Sequence, residues 1–397
     1  MLATHVFFLW AVRGRIARGD PDFTVFYTAA KVLREGRGPG LYEPGTQAEV
    51  QREFTQNSDL RRGPLPYIHP PFEALAFVPL TFLSYQNAFI FWNLLNLVML
   101  AGILLLLRGW LGSLRRISLT DLLLAALAFF PILANFHQGQ DAILLLLLVV
   151  LGVRALDRHS DFLVGCWLGL GVFKYHLIVP LLVILAVWKG RKLLLGFVAA
   201  ASAMAIVSIV IVGWHGAIRY PVYVWRVMSA PGYGRIPFRQ LPNVMGLLAG
   251  WPMLENIGRP LQIAALACSL VLVIASARMG RRANDGRSFR LSIGCAVIAA
   301  VLVAYSTNTY DLCLLILPLA LVADDRLQRL PRQPAGRLSI ILPAVPLLIS
   351  PLWFLLWMGW GRINLIAVFL LWWLVALSQE IRQMRPAHTV QAVPALT

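Results

Sequence analysis

Several stretches of this chain run almost without a polar residue: 94–107, 122–133, 143–153, 193–212, 263–274 and 365–377. Backbone N–H and C=O groups placed in hydrocarbon must bond within their own segment, so such stretches fold as helices. About 20 apolar residues carry a helix across roughly 30 Å of lipid, and fewer suffice where protein shelters the segment. Of the 397 residues, 59% are apolar and 13% charged, more apolar than a soluble domain of this length needs. The chain reads as an all-α polytopic membrane protein.

The formal net charge is +17. In a soluble protein that would suggest a nucleic-acid partner. Here the basic residues recur in short connections: Arg115-Arg116, Lys189 with Arg191-Lys192, Arg281-Arg282 with Arg287, and Arg326 with Arg329 and Arg332. Short basic loops stay in the cytoplasm, so the charge describes topology and nucleic acid is set aside. Threading the chain on that rule places spans near 1–12, 86–107, 118–135, 141–156, 161–175, 177–188, 193–213, 260–277, 290–307, 312–324, 338–356 and 362–378. That is about twelve crossings in one multi-pass domain, 1–397, with both ends inside.

The outer side then receives two long loops, 13–70 and 214–259, and tight polar turns at 137–140, 174–176 and 307–311. A short apolar piece after Pro70-Pro71, residues 71–83, reads as half-buried or re-entrant. Chemistry is expected on this elaborated face. Without an internal repeat, transporters built from inverted halves are disfavoured. A membrane transporter or flippase for a lipid-linked or small solute is the alternative reading. The four cysteines lie in apolar blocks as packing residues. Residues 1–10 read as the end of a first helix.

Polar residues near hydrocarbon carry most of the functional information. Asp20-Pro21-Asp22 opens a segment whose Phe23, Phe26, Tyr27, Ala30 and Leu33 share one helical face, as in a helix lying in the membrane interface. Asp20 with Pro21 is an ordinary helix start. Asp22 is left over, and suits a general base that takes a proton from an attacking hydroxyl. Transfer from a phosphate carrier also needs cations or donors for the departing phosphate.

Lys174 lies between two apolar blocks, where an unpartnered lysine costs about 2.5–3.5 kcal/mol at a helix centre. It either snorkels, pairs with Asp311, or clamps a carrier phosphate. His69, in Tyr67-Ile68-His69-Pro70-Pro71, is an interfacial polar residue or a binder of phosphate or hydroxyls. The turn of His137, Gln138, Gly139, Gln140 and Asp141 is a hydrogen-bonded cap or part of a site. Tyr220, Tyr223, Trp225, Tyr233, Arg235, Arg239 and Asn243 form an aromatic belt or a sugar-stacking surface. No His, Cys, Asp or Glu group stands at metal-ligand spacing, and the lone D-x-D, Asp20/Asp22, is interrupted by proline. Neither a metal nor a cofactor is expected.

The order Asp22-Phe23, Phe26-Tyr27, Ala29-Ala30, Gly36, Leu41-Tyr42 and Gln47 resembles glycosyltransferase family 87, as do Tyr67, His69-Pro70-Pro71-Phe72, Pro79-Leu80, Ala88 and Trp92. Asn135 with Gly139-Gln140, Lys174, Pro242-Asn243 before Gly246-Leu247-Leu248, and Tyr310-Asp311-Leu312 with Leu315 and Pro318 continue the likeness along nearly the whole chain. The family holds polyprenol-phosphate-mannose-dependent α-1,2-mannosyltransferase-like membrane proteins. The resemblance implies a C-type (GT-C) glycosyltransferase fold, with outer loops carrying short interfacial helices, in a bacterial inner membrane. It implies inverting transfer of a sugar, mannose by analogy, from a polyprenyl-phosphate-linked donor, which is a substrate, to a lipid or glycan acceptor outside. The family's catalytic aspartate maps to Asp22. Tyr27, Tyr67, His69, Gln140, Lys174, Arg239, Asn243, Tyr310 and Asp311 are the expected substrate-binding residues. Two departures stand out: Asp141 where the family often has asparagine, and no histidine in the turn at 307–311.

Overall fold

A computed structural model describes residues 1–55, 64–229, 240–249, 258–283, 285–329, 340–349 and 365–384. Among these the regular structure is entirely helical. Helix α1 (Leu2–Ala17) leads through a turn at Gly19, where φ is +88°, to α2 (Phe23–Arg34), α3 (Pro44–Arg52) and α4 (Pro71–Phe77). These short helices and the start of α5 (Tyr85–Trp110) enclose an aromatic core. Phe26 stacks on Phe77 with centroids 4.7 Å apart, and Phe23 meets Phe89 edge-on at 5.6 Å. The expectation of an interfacial α2 gives way here. Phe23 through Ala30 are all buried, because α3 and α4 cover the face that would otherwise meet lipid or water.

The rest of the chain forms an aliphatic bundle. Helices α6 (Leu119–Leu127) and α7 (Phe130–Gln138) are bent by 72° at a break that Pro131 follows. Then come α8 (Ala142–Asp157), α9 (Asp161–Leu170), α10 (Tyr175–Lys189), α11 (Arg191–Ser229), α12 (Val244–Ala249), α13 (Arg259–Arg281), α14 (Gly286–Val303), α15 (Ile316–Arg329) and a last helix, Leu365–Gln383. The long helices α5, α11 and α13 turn Ile90, Leu94, Val198, Ile206, Ile263 and Leu266 outward, as lipid contact requires. Helix α14 is buried along most of its length at the centre.

Six helical runs among the described residues are long and apolar enough to cross a membrane, or seven with α6–α7 taken as one span. The expected figure of about twelve also counted shorter segments. Helices α1 and α8 have 16 residues each, about 24 Å long. Helix α8 packs inside the bundle, so its length need not match the lipid. The run 161–189 is continuous in helical residues but doubles back at the turn Gly171–Lys174. Lys174 itself leaves helical geometry (φ −110°, ψ 56°).

Contacts fix the directions on either side of that turn. Gly165 lies against the Leu193 carbonyl and Gly169 against Ala200, so α9 and the first part of α11 run side by side in one direction. Small residues let these backbones approach closely. Helix α10 returns to the far end, where Trp188 Nε1 donates to the Ala277 carbonyl at 2.8 Å. Gly213, at φ +71°, breaks α11. The second part lies over the aromatic cap, with Tyr220 Oη donating to the Ile68 carbonyl at 3.0 Å.

Candidate active site

The turn between α7 and α8 organises one end of the bundle. Gly139 ends α7 in the left-handed conformation (φ +59°), and a Cβ there would stand 2.8 Å from Phe23 Cβ. Glycine therefore permits both the turn and its close seat on α2. One face of α5 holds the turn in place: Trp92 Nε1 donates to the Gly139 carbonyl at 3.0 Å, Asn96 Nδ2 to that of Gln140 at 3.4 Å, and Asn93 Nδ2 to that of Phe136 at 3.1 Å.

The two glutamines of this turn grip Asp22. Its backbone N–H donates to Gln138 Oε1 at 3.0 Å, and its Oδ2 accepts from Gln140 Nε2 at 3.0 Å. Behind Gln140 stands Lys174, whose Nζ lies 3.4 Å from Gln140 Oε1. An ammonium can only donate, so it sets the amide's orientation. The oxygen faces Lys174, and the nitrogen is left to face Asp22.

Lys174 is buried, with its side chain 3% exposed, between Asp141 Oδ1 at 2.9 Å and Asp311 Oδ1 at 3.0 Å. Asp311 also accepts from the Asn308 N–H at 2.8 Å and lies 3.9 Å from His176 Nε2. The Tyr310 ring sits 5.0 Å from Lys174 Nζ, and its hydroxyl accepts from Asn308 Nδ2 at 2.8 Å. On the other side of Asp141, from the aromatic cap, come Glu73 and His69, the latter with Nδ1 2.8 Å from Glu73 Oε2. Burial pulls the His69 imidazole down to about 4, so the ring is neutral near pH 7.

Of the expected site residues, Asp22, His69, Gln140, Lys174, Tyr310 and Asp311 thus come together. Tyr67 stands beside them, its ring stacked on His69 with centroids 5.6 Å apart and its hydroxyl donating to the Pro70 carbonyl at 2.9 Å. Two do not join them. Tyr27 donates to the Leu83 carbonyl at 2.8 Å from within the aromatic core. Asn243 joins α12 to the end of α14, donating to the Ala304 carbonyl at 2.6 Å and accepting from the Gly246 N–H at 2.8 Å. Arg239 lies outside the described residues. Sequence reasoning passed over Glu73 altogether. The signal was present: a carboxylate in an apolar run, four residues after His69 and so on the same helical face.

Asp20 is buried and paired with Arg15 at 3.1 Å, a structural role. Asp141, Asp311 and Glu73 are buried as well, whereas Asp22 is half-exposed. A bundle of apolar helices, with one accessible carboxylate over a buried ion cluster, suits a membrane enzyme acting on polar groups at its surface. Residues 67–306, more than half of the chain, match the family model of glycosyltransferase family 87.

The chain belongs to glycosyltransferase family 87. It is accordingly a membrane glycosyltransferase, with a sugar donor and an acceptor as its substrates. The family match includes His69, Glu73, Gln140, Asp141 and Lys174, whereas Asp22, Tyr310 and Asp311 lie beyond it. No curated protein and no solved structure matches the chain.

Proposed function

We propose that this family 87 enzyme transfers a hexose, mannose by analogy, from a polyprenyl-phosphate carrier to a hydroxyl of a lipid or glycan acceptor. The reaction takes place at the non-cytoplasmic face of a bacterial inner membrane, the side opposite the basic short loops. Asp22 accepts the proton of the attacking hydroxyl as its oxygen bonds to the anomeric carbon. The bond from that carbon to the carrier's phosphate oxygen breaks with inversion. A phosphodiester's phosphate leaves as an anion and needs little acid assistance.

One observation carries the choice of Asp22: it is the half-exposed carboxylate in a cluster whose other carboxylates are buried. Gln140 and Gln138 hold it from behind, which keeps it aimed without covering it. A base must reach the hydroxyl within about 2.6–3.2 Å, and a buried carboxylate does not. Lys174 is a positioning residue in this reading. Its charge is already met by Asp141 and Asp311, so the carrier phosphate is held by other donors.

The test is sugar transfer by purified protein from a defined polyprenyl-phosphate mannose, read as product against time for wild type and Asp22→Asn. Loss of transfer with unchanged thermal stability supports the assignment. Full activity in Asp22→Asn removes it. No transfer from any polyprenyl-phosphate sugar by wild type overturns the donor class.

A further inference from the structure

His69, Glu73 and Asp141 are far apart in sequence, yet a donor atom from each lies within 4.8 Å of the others. The group is buried: the Glu73 side chain is 4% exposed, that of Asp141 1%, that of His69 16%. Among the described residues the Glu73 carboxyl has no hydrogen-bonding neighbour other than the Asp141 carboxyl, and His69 Nδ1 takes part in no hydrogen bond. The 2.8 Å approach of His69 Nδ1 to Glu73 Oε2 lacks hydrogen-bond alignment. Buried polar groups without partners mark either strain or a ligand.

The charges point the same way. Lys174 supplies one positive charge to Asp141 and Asp311, which leaves one negative charge over. Buried charge is not sustained without compensation, and a cation beside Asp141 meets it.

We propose that His69 Nδ1, Glu73 and Asp141 Oδ2 bind a divalent transition-metal cation of the Zn²⁺ or Mn²⁺ class. One imidazole nitrogen with two carboxylates is a donor set for such ions, with bonds of roughly 2.0–2.2 Å. Small side-chain rotations bring atoms already within 4.8 Å to the spacing these bonds require. Lys174, on Asp141 Oδ1, leaves Oδ2 to the metal and orients the carboxylate from outside. The ion ties the start of α4, in the aromatic cap, to the start of α8 in the bundle. That junction is where Gln140 reaches Asp22. The role is architectural, and it stands apart from the proposed sugar transfer.

The test uses full-length protein in detergent, incubated with Zn²⁺ or Mn²⁺, freed of excess ion, and analysed for bound metal and thermal unfolding. Wild type is expected to hold about one ion per chain and to lose several degrees of melting temperature on chelation, as binding to the native state alone requires. Glu73→Gln and the milder His69→Gln are each expected to lose the ion and the chelator response while staying monodisperse. Wild type that binds neither ion, with a melting temperature indifferent to chelator, overturns the proposal and assigns a shared proton to the Glu73–Asp141 pair. Metal retained in both variants overturns it as well. Neither readout involves transfer, so failure here leaves the proposed function standing.

Discussion

Ion clusters sit near both ends of the same bundle, and they are built on opposite plans. At the end away from Asp22, Arg287, Arg326 and Arg329 surround Asp325 and Glu380, three guanidinium groups on two carboxylates. Arg287 binds both acids, reaching Glu380 Oε1 at 2.7 Å, and so links α14 to α15 and to the last helix. Arg329 is 34% exposed, so surplus positive charge there has water to meet. At the other end one ammonium, Lys174, serves Asp141 and Asp311, with Glu73 and Asp22 close by, and the surplus is negative and mostly buried. A cation-rich cluster that touches water stabilises helix contacts. A carboxylate-rich cluster in a dry setting is costly to maintain, and sites of that kind concentrate function.

The contrast can be broken most sharply at Asp22. Asp22→Asn is expected to lower the transfer rate by about 10²–10⁴-fold, the usual worth of a general base, with thermal stability unchanged. Transfer within a factor of two of wild type would make the two clusters equivalent in kind. Lys174→Ala comes next, because it strands Asp141 and Asp311 without their buried partner. Its expected cost is about 3–5 kcal/mol of stability, seen as a fall in melting temperature in detergent. A variant as stable as wild type would show that the carboxylates are compensated by something else.

Gln140→Leu sharpens the comparison further. It removes the donor to Asp22 and the acceptor for Lys174 while keeping a similar volume. Loss of one hydrogen bond to a charged group is worth roughly 1.5–3 kcal/mol, or about 10- to 100-fold in rate if the bond matters in the transition state. The fall should appear in kcat rather than KM if Gln140 positions Asp22 and does not hold substrate. The smallest effect is expected at the opposite end. Glu380→Gln leaves the arginines with Asp325 and water, costs about 1 kcal/mol in melting experiments, and leaves transfer at the wild-type rate. A large loss of transfer in that variant would tie the far cluster to the reaction.

How much was legible beforehand varied by element. The helices over 85–110, 191–212 and 286–303 follow from apolar runs, since backbone satisfaction in lipid is a property of each segment alone. Lys174 was legible as a charge out of place; Asp22 was singled out because Asp20 was expected to cap α2, whereas the structure puts Asp22 at the N-cap position and Asp20 against Arg15. Helix α2 misled, because its apolar stripe suits an interfacial helix equally well; its burial depends on α3 and α4, which no local pattern announces. Glu73 was overlooked for the same kind of reason. Its meaning comes from Asp141, 68 positions away in the chain.

The sequence by itself determined that this protein is a helical membrane protein, which connections are basic, and which residues sit where charge is expensive. These are local properties, set by the transfer of single segments between water and hydrocarbon. Tertiary structure decided that Lys174 faces two carboxylates rather than open water, that Gln140 turns its nitrogen toward Asp22, and that His69, Glu73 and Asp141 converge. Those outcomes depend on the distances between side chains of separate helices, and electrostatic energy in a dry interior changes steeply with such distances.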